Sequence, residues 1–100
     1  PYEAPGRAHL LGRALYVAQS YADAIEAFKK ARVLRYGQHA EIAACHAQLG
    51  SDKDARLHAE EVLRLKPDFS TAGYVDALPF KESRDADHHR EGFLKAGLPE

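Results

Sequence analysis

The chain has no tryptophan, no methionine and one cysteine, and its net charge is close to zero; each shortage narrows what it can do. Without Trp or Met, neither a large aromatic core nor a Met-lined adaptable groove is expected. Cys45 alone cannot form an intrachain disulfide, which fits a reducing, cytoplasmic setting. Fourteen basic residues stand against fifteen acidic ones, a formal charge of −1, whereas a nucleic-acid-binding domain usually carries a clear basic excess. The halves differ mildly, +2 for residues 1–50 and −3 for 51–100, too little to name a partner. No apolar run approaches the roughly 18–20 residues that span a bilayer, and no signal-peptide pattern opens the chain. Neither nucleic acid nor membrane is therefore expected as a partner. The start at Pro1-Tyr2-Glu3, without Met, reads as a piece of a longer protein.

What is present is helical. One hundred residues make about one small domain, and a 45% hydrophobic content rich in Ala and Leu suits closely packed helices. Apolar residues at three- and four-residue steps predict a first helix over 6–18 that buries Ala8, Leu11, Ala14, Leu15 and Ala18. A second helix over 21–34 should bury Ala24, Ile25, Phe28, Ala31 and Leu34, with Asp23, Glu26, Lys29, Lys30 and Arg32 towards water. Tyr36-Gly37 should end it, Gly37 supplying a left-handed cap. A third helix follows over 38–49, closed by Gly50. A fourth, over 52–65 and capped by Ser51 or Asp52, should bury Ala55, Ala59, Val62 and Leu63. Asp68 or Ser70 caps a short fifth helix through Tyr74 and Leu78, stopped by Pro79. Phe80-Lys81-Glu82 then links to a sixth, from Ser83 or Asp85 to about Ala96, ended by Gly97 and Pro99. No strand-like alternation and no low-complexity tract occurs. The economical reading is an all-α chain of six helices in three antiparallel pairs, an α-α superhelix.

The offsets Leu11-Gly12, Tyr21-x-x-Ala24, Phe28-x-x-Ala31, followed by Ala43, Gly50, Ala55 and Pro67, resemble the tetratricopeptide repeat, a 34-residue helical hairpin. On that resemblance, residues 5–36 form one repeat, 37–69 a second, and 70–100 a C-terminal capping pair. Two departures stand out: Ala24 to Ala55 spans 31 residues, short of the period, and Tyr36 replaces the connecting proline. Ala59 also replaces the second-helix aromatic of the second repeat. The pieces Leu78-Pro79-Phe80-Lys81 and Glu91-Gly92-Phe93-Leu94-Lys95-Ala96-Gly97-Leu98-Pro99-Glu100 resemble tails of bacterial signalling proteins. In those, such repeats follow a class III adenylate/guanylate cyclase-like domain or a winged-helix regulator domain. That resemblance implies a regulatory or scaffolding appendage near a natural C-terminus, with no cyclase activity in this segment. The last helix departs from the apolar family pattern at Ala86, His89 and Arg90, so weak docking is the expectation.

Candidate chemistry is sparse. His39 and His46 lie on one predicted helix and His58 on the next, yet zinc needs three or four converging ligands, and Cys45 points about 100° away from His46. Packed or solvated histidines are the expected state; neither a metal nor any cofactor is expected. His88-His89 beside Asp85 and Asp87 reads as an exposed polar face. Cys45 sits among alanines without an activating base, and Ser20, Ser51, Ser70 and Ser83 occupy turns or caps. No glycine-rich phosphate cradle occurs either. The chain is expected not to be an enzyme.

The repeat resemblance places the first helix of each pair on a concave face. There His9, Arg13 and Tyr16, then Glu41, Ala44 and Gln48, and finally Tyr74 would grip an extended or helical peptide. The Lys and Asn of the two-carboxylate clamp used by some family members are absent, so that specificity does not carry over. The expected partner is a protein or peptide, including a catalytic or regulatory domain of the same chain. Two alternatives stand beside it. One is a homodimer formed through the first or last helix. The other is a small-molecule pocket around Tyr74, Phe80 and Phe93.

Overall fold

A computed structural model describes residues 7–31, 33–78, 80 and 82–100, apart from the side chains of residues 7–9. It places α1 over Arg7–Val17, α2 over Tyr21–Lys29, α3 over Tyr36–Gln48, α4 over Asp52–Leu65, α5 over Thr71–Asp76 and α6 over Ser83–Lys95. Among the described residues there is no strand, and no helix is long and apolar enough to cross a membrane. The all-α expectation with six helices is met.

Helix α1 pairs with α2 and α3 with α4, and α2 packs on α3, so two hairpins follow one another. The α1–α2 contact rests on Gly12. A Cβ there would lie 2.6–2.8 Å from the Phe28 ring, so only glycine lets that buried ring lie flat on the α1 backbone. The ring's demand also turns α1. Gly12 and Tyr16 face inwards, whereas Leu11 is 50% exposed and Ala14 and Ala18 lie outside. The expected stripe is thus displaced by one residue, about 100° around the helix. The reason is payload: a Tyr ring buries 150–250 Å², far more than an alanine. The Ala8 part of that stripe lies outside the described side chains.

Helix α2 is shorter than its periodicity suggests. Lys30 and Ala31 donate to the carbonyls three residues back, Ala27 and Phe28, a tightening typical of a last turn. Ala31 and Leu34 are half-buried beyond the helix, and Arg32 lies outside the described residues. Gly37 does not cap anything. It sits inside α3, where a Cβ would come 3.0 Å from the Tyr74 hydroxyl, and Arg35 N–H donates to Gln38 Oε1 at 3.0 Å. Helix α4 has its expected bounds, with Asp52 and Asp54 in its first turn and Arg64 in its last, matching the helix dipole. Leu63 is half-buried rather than buried.

Three helices end alike. The N–H of Ser20, Ser51 and Leu98 returns to the carbonyl five residues back, at 2.8–3.1 Å, after a left-handed residue: Gln19 (φ 64°), Gly50 (φ 81°) and Gly97 (φ 94°). Only Gln19 carries a Cβ in that conformation.

The last thirty residues depart from the expected third pair. Ser70 Oγ caps α5 by accepting from Gly73 N–H at 3.1 Å, but α5 stops at Asp76; Pro79 and Lys81 lie outside the described residues. The backbone of α5 comes close to no described helix but α6, and α6 runs along α3 and touches α1. Neither packs on α4, the helix they follow. The tail then returns to α5, with Thr71 and Ala72 N–H donating to the Pro99 and Glu100 carbonyls at 2.9 Å. The described residues of 71–100 thereby form an arm, closed at its tail, that lies across the α1–α3 face.

Replacing Gln19 by Gly relieves the one strained helix terminus, where a Cβ costs roughly 1 kcal/mol before the entropy lost to a freer unfolded chain is subtracted. Urea unfolding of Gln19→Gly is expected to show a gain of about 0.5 kcal/mol; a loss of stability would contradict this account of the turn.

Candidate partner-binding face

The residues chosen from the sequence do come together, but not in the open. Arg13 and Tyr16 from α1, Glu41, Ala44 and Gln48 from α3, and Tyr74 from α5 gather where α1, α3 and α6 meet. The side chain of His9 lies outside the described residues. Exposure was expected; instead Tyr16 and Glu41 are 1% exposed and Ala44 is 0% exposed, while Arg13, Gln48 and Tyr74 are half-buried. The cover is α6, the helix expected to dock weakly. His89 and Phe93 are fully buried. Arg90 stays outside, paired with the Glu100 carboxylate, and Ala86 is half-buried.

Close approach is set by Gly92. A side chain there would collide with Tyr16 Oη and reach within 3.0 Å of Ala44 Cβ. Tyr16 Oη donates to the His88 carbonyl of α6 at 2.8 Å and accepts from Gln48 Nε2 at 3.0 Å. Gln48 Oε1 in turn accepts from Lys95 Nζ at 3.1 Å. One turn away, Glu41 holds two contacts at once: Arg13 Nε at 3.3 Å and His89 Nε2 at 2.9 Å. The His89 approach lies off hydrogen-bond geometry. Ring packing completes the seat, with His89 4.4 Å from Tyr16 and 4.8 Å from Phe80 between centroids.

Burial decides the chemistry of these groups. It pushes the Tyr16 phenol well above its ordinary range, against a smaller opposite pull from the Gln48 hydrogen bond. Tyr74 is raised by burial and then by Glu41, and the Cys45 thiol by the same two causes. All three keep their protons near neutrality. The phenols serve as hydrogen-bonding groups and Cys45 is a small buried hydrophobe, as expected.

Around Tyr74, Phe80 and Phe93, where a pocket was expected, the described side chains pack closely. Phe93 is 0% exposed and stacks 5.5 Å from Tyr74, so packing fills that space. A cleft of about 260 Å³ lies on the other side of Tyr74, among Tyr36, Lys66, Phe69 and Ser70.

A second cluster bridges α3 and α4. His39 Nδ1 and His58 Nδ1 are 3.0 Å apart, and the His46 ring stacks on His58 at 5.7 Å. No group of three or more His, Cys, Asp or Glu among the described residues converges on a common metal position. The sequence suggests these histidines as a metal set on adjacent helices and as packed or solvated rings, but not their direct contact. The signal was available: His39 and His58 stand almost equally far from the Leu49-Gly50 turn and so face each other across the hairpin. Burial is the first cause lowering all three rings. His58, with His39, His46 and Lys29 adding repulsion against Asp54, is pulled down to about 4.

The folded chain therefore binds fewer protons here than the unfolded chain, whose imidazoles titrate near 6.5. Stability is complete above that value and falls as the pH drops towards 4. For a ring partly in water, screening reduces the His58 contribution to roughly 1–2 kcal/mol. Urea unfolding between pH 7 and 4.5 should show this loss, and His58→Gln should shrink it. A flat profile in the parent chain would contradict the assignment.

Set beside protein-family models, curated proteins and solved structures, the chain matches none of them.

Proposed function

We propose that this chain is a protein–protein interaction module of the tetratricopeptide kind, serving as a scaffold or regulatory segment of a larger bacterial signalling protein in the cytoplasm. Its α1–α3 face receives a helix or peptide, including one from a catalytic or regulatory domain of the same protein. One observation carries the reading: six side chains chosen for a binding face converge on a single surface, and a helix already lies against it. The contacts are of the kind that select a ligand. Hydroxyl, amide and carboxylate groups line the seat of a helix, whose glycine backbone rests on Tyr16 and Ala44. Binding without catalysis is further favoured by the buried thiol and raised phenols, none of which is an activated nucleophile.

Selection of displayed peptides on the full chain tests the reading. It predicts recurrent helical sequences whose binding falls by roughly tenfold or more when Arg13→Glu and Gln48→Glu reverse or add charge at the edge of the face. Failure to enrich any sequence, or binding indifferent to both changes, would contradict it.

A further inference from the structure

The cleft of about 260 Å³ beside Tyr74 has three aromatic rings among its walls. Tyr36 comes from the start of α3, Phe69 from the stretch between α4 and α5, and Tyr74 from α5. Their centroids lie 5.7–6.4 Å apart, and the Tyr36 plane stands at 71° to each of the other two. The rings therefore form inclined walls rather than one stack, and aromatic faces attract cations. The chain already places a cation there. Lys66 Nζ sits 5.5 Å from the Tyr36 centroid, within cation–π range, and 3.3 Å from Asp68 Oδ1. Both side chains keep contact with water, so the pair is a weak tie and Lys66 can leave the ring for solvent at small cost. Asp68 is the one carboxylate among the described residues lining the cleft. The Ser70 hydroxyl is engaged elsewhere, donating to the Glu100 carbonyl at 2.8 Å and accepting from Gly73 N–H at 3.1 Å.

We propose that this cleft binds a small quaternary ammonium group, whose seat on Tyr36 beside Asp68 is held by the Lys66 ammonium when no ligand is bound. Three features select that class. A rounded head group meets inclined walls on several sides, whereas a flat guanidinium uses one ring face. A quaternary nitrogen carries no N–H, so it forfeits no hydrogen bond on leaving water for a seat with a single carboxylate. Its charge is spread over methyl groups and weakly hydrated, so it gains more from aromatic contact than the strongly hydrated lysine ammonium it displaces. The volume suits a head group rather than a drug-sized molecule, whose sites begin at roughly 300 Å³. This inference does not depend on reading the α1–α3 face as an interaction surface.

The test is a proton NMR titration of the full chain with choline chloride, run against sodium chloride at equal ionic strength and against the uncharged tert-butyl analogue of choline. Choline should saturably shift the Tyr36 and Tyr74 ring protons and show cross-peaks from its methyl groups to both rings. The uncharged analogue should bind roughly fivefold or more weakly, the share of affinity owed to charge over the rings. Lys66→Gln removes the internal competitor and should tighten choline binding roughly threefold or more, whereas Asp68→Asn should weaken it. Tyr36→Leu keeps apolar bulk without a π face and should weaken binding roughly fivefold or more. If circular dichroism shows that variant unfolded, the Lys66→Gln and analogue comparisons decide alone. Equal binding of choline and its uncharged analogue would overturn the proposal and leave an apolar crevice. So would unchanged or weaker choline binding in Lys66→Gln, or the absence of saturable shifts at the two tyrosines.

Discussion

A carboxylate buried at the centre of α3 constrains everything around it. Glu41 is withdrawn from water, and an ionised carboxylate in such a place is tolerated only with opposite charge and hydrogen bonding nearby. The chain supplies Arg13 from α1 and His89 from α6. One side chain thus ties the first hairpin, the second hairpin and the arm to a common point. Bringing α6 across Glu41 closes the group over and makes it a fastening point between elements.

Small residues make that fastening possible. Glycine within a helix costs about 1 kcal/mol relative to alanine, and both Gly12 and Gly92 stand inside helices. Each offsets that cost by admitting an aromatic group against the backbone, the Phe28 ring at Gly12 and the Tyr16 hydroxyl at Gly92. The two contacts are linked. Turning α1 to lay Gly12 on Phe28 also points Tyr16 inwards, where its hydroxyl meets the α6 carbonyl of His88. Packing between the first two helices therefore prepares the group that receives the last.

How much of this could be read in advance follows from the range of the forces involved. Helix α4 has its expected bounds because its dipole charges, the Ser51 N-cap position and apolar period agree locally. Helix α2 overshoots on paper because Ala31 and Leu34 continue the period into a connection where tertiary contacts hold them without a helix. The inward face of α1 is misjudged by one position, since counting apolar residues ignores that a tyrosine can bury more surface than two alanines. The candidate face was legible residue by residue; its cover was not. His89 reads as a polar interruption until Glu41 is known to lie opposite, and that pairing spans two helices distant in sequence. Gly92 was the available clue, a helix glycine with no turn to explain it.

The central claim is that α6 lies on the α1–α3 face with the Gly92 backbone against Tyr16 and Ala44. Nuclear Overhauser spectroscopy on the labelled full chain measures this directly. The account predicts strong cross-peaks from the Gly92 α-protons to the Ala44 methyl and to the Tyr16 ring. Their absence, with Gly92 showing contacts only to α5 or to solvent, would contradict it.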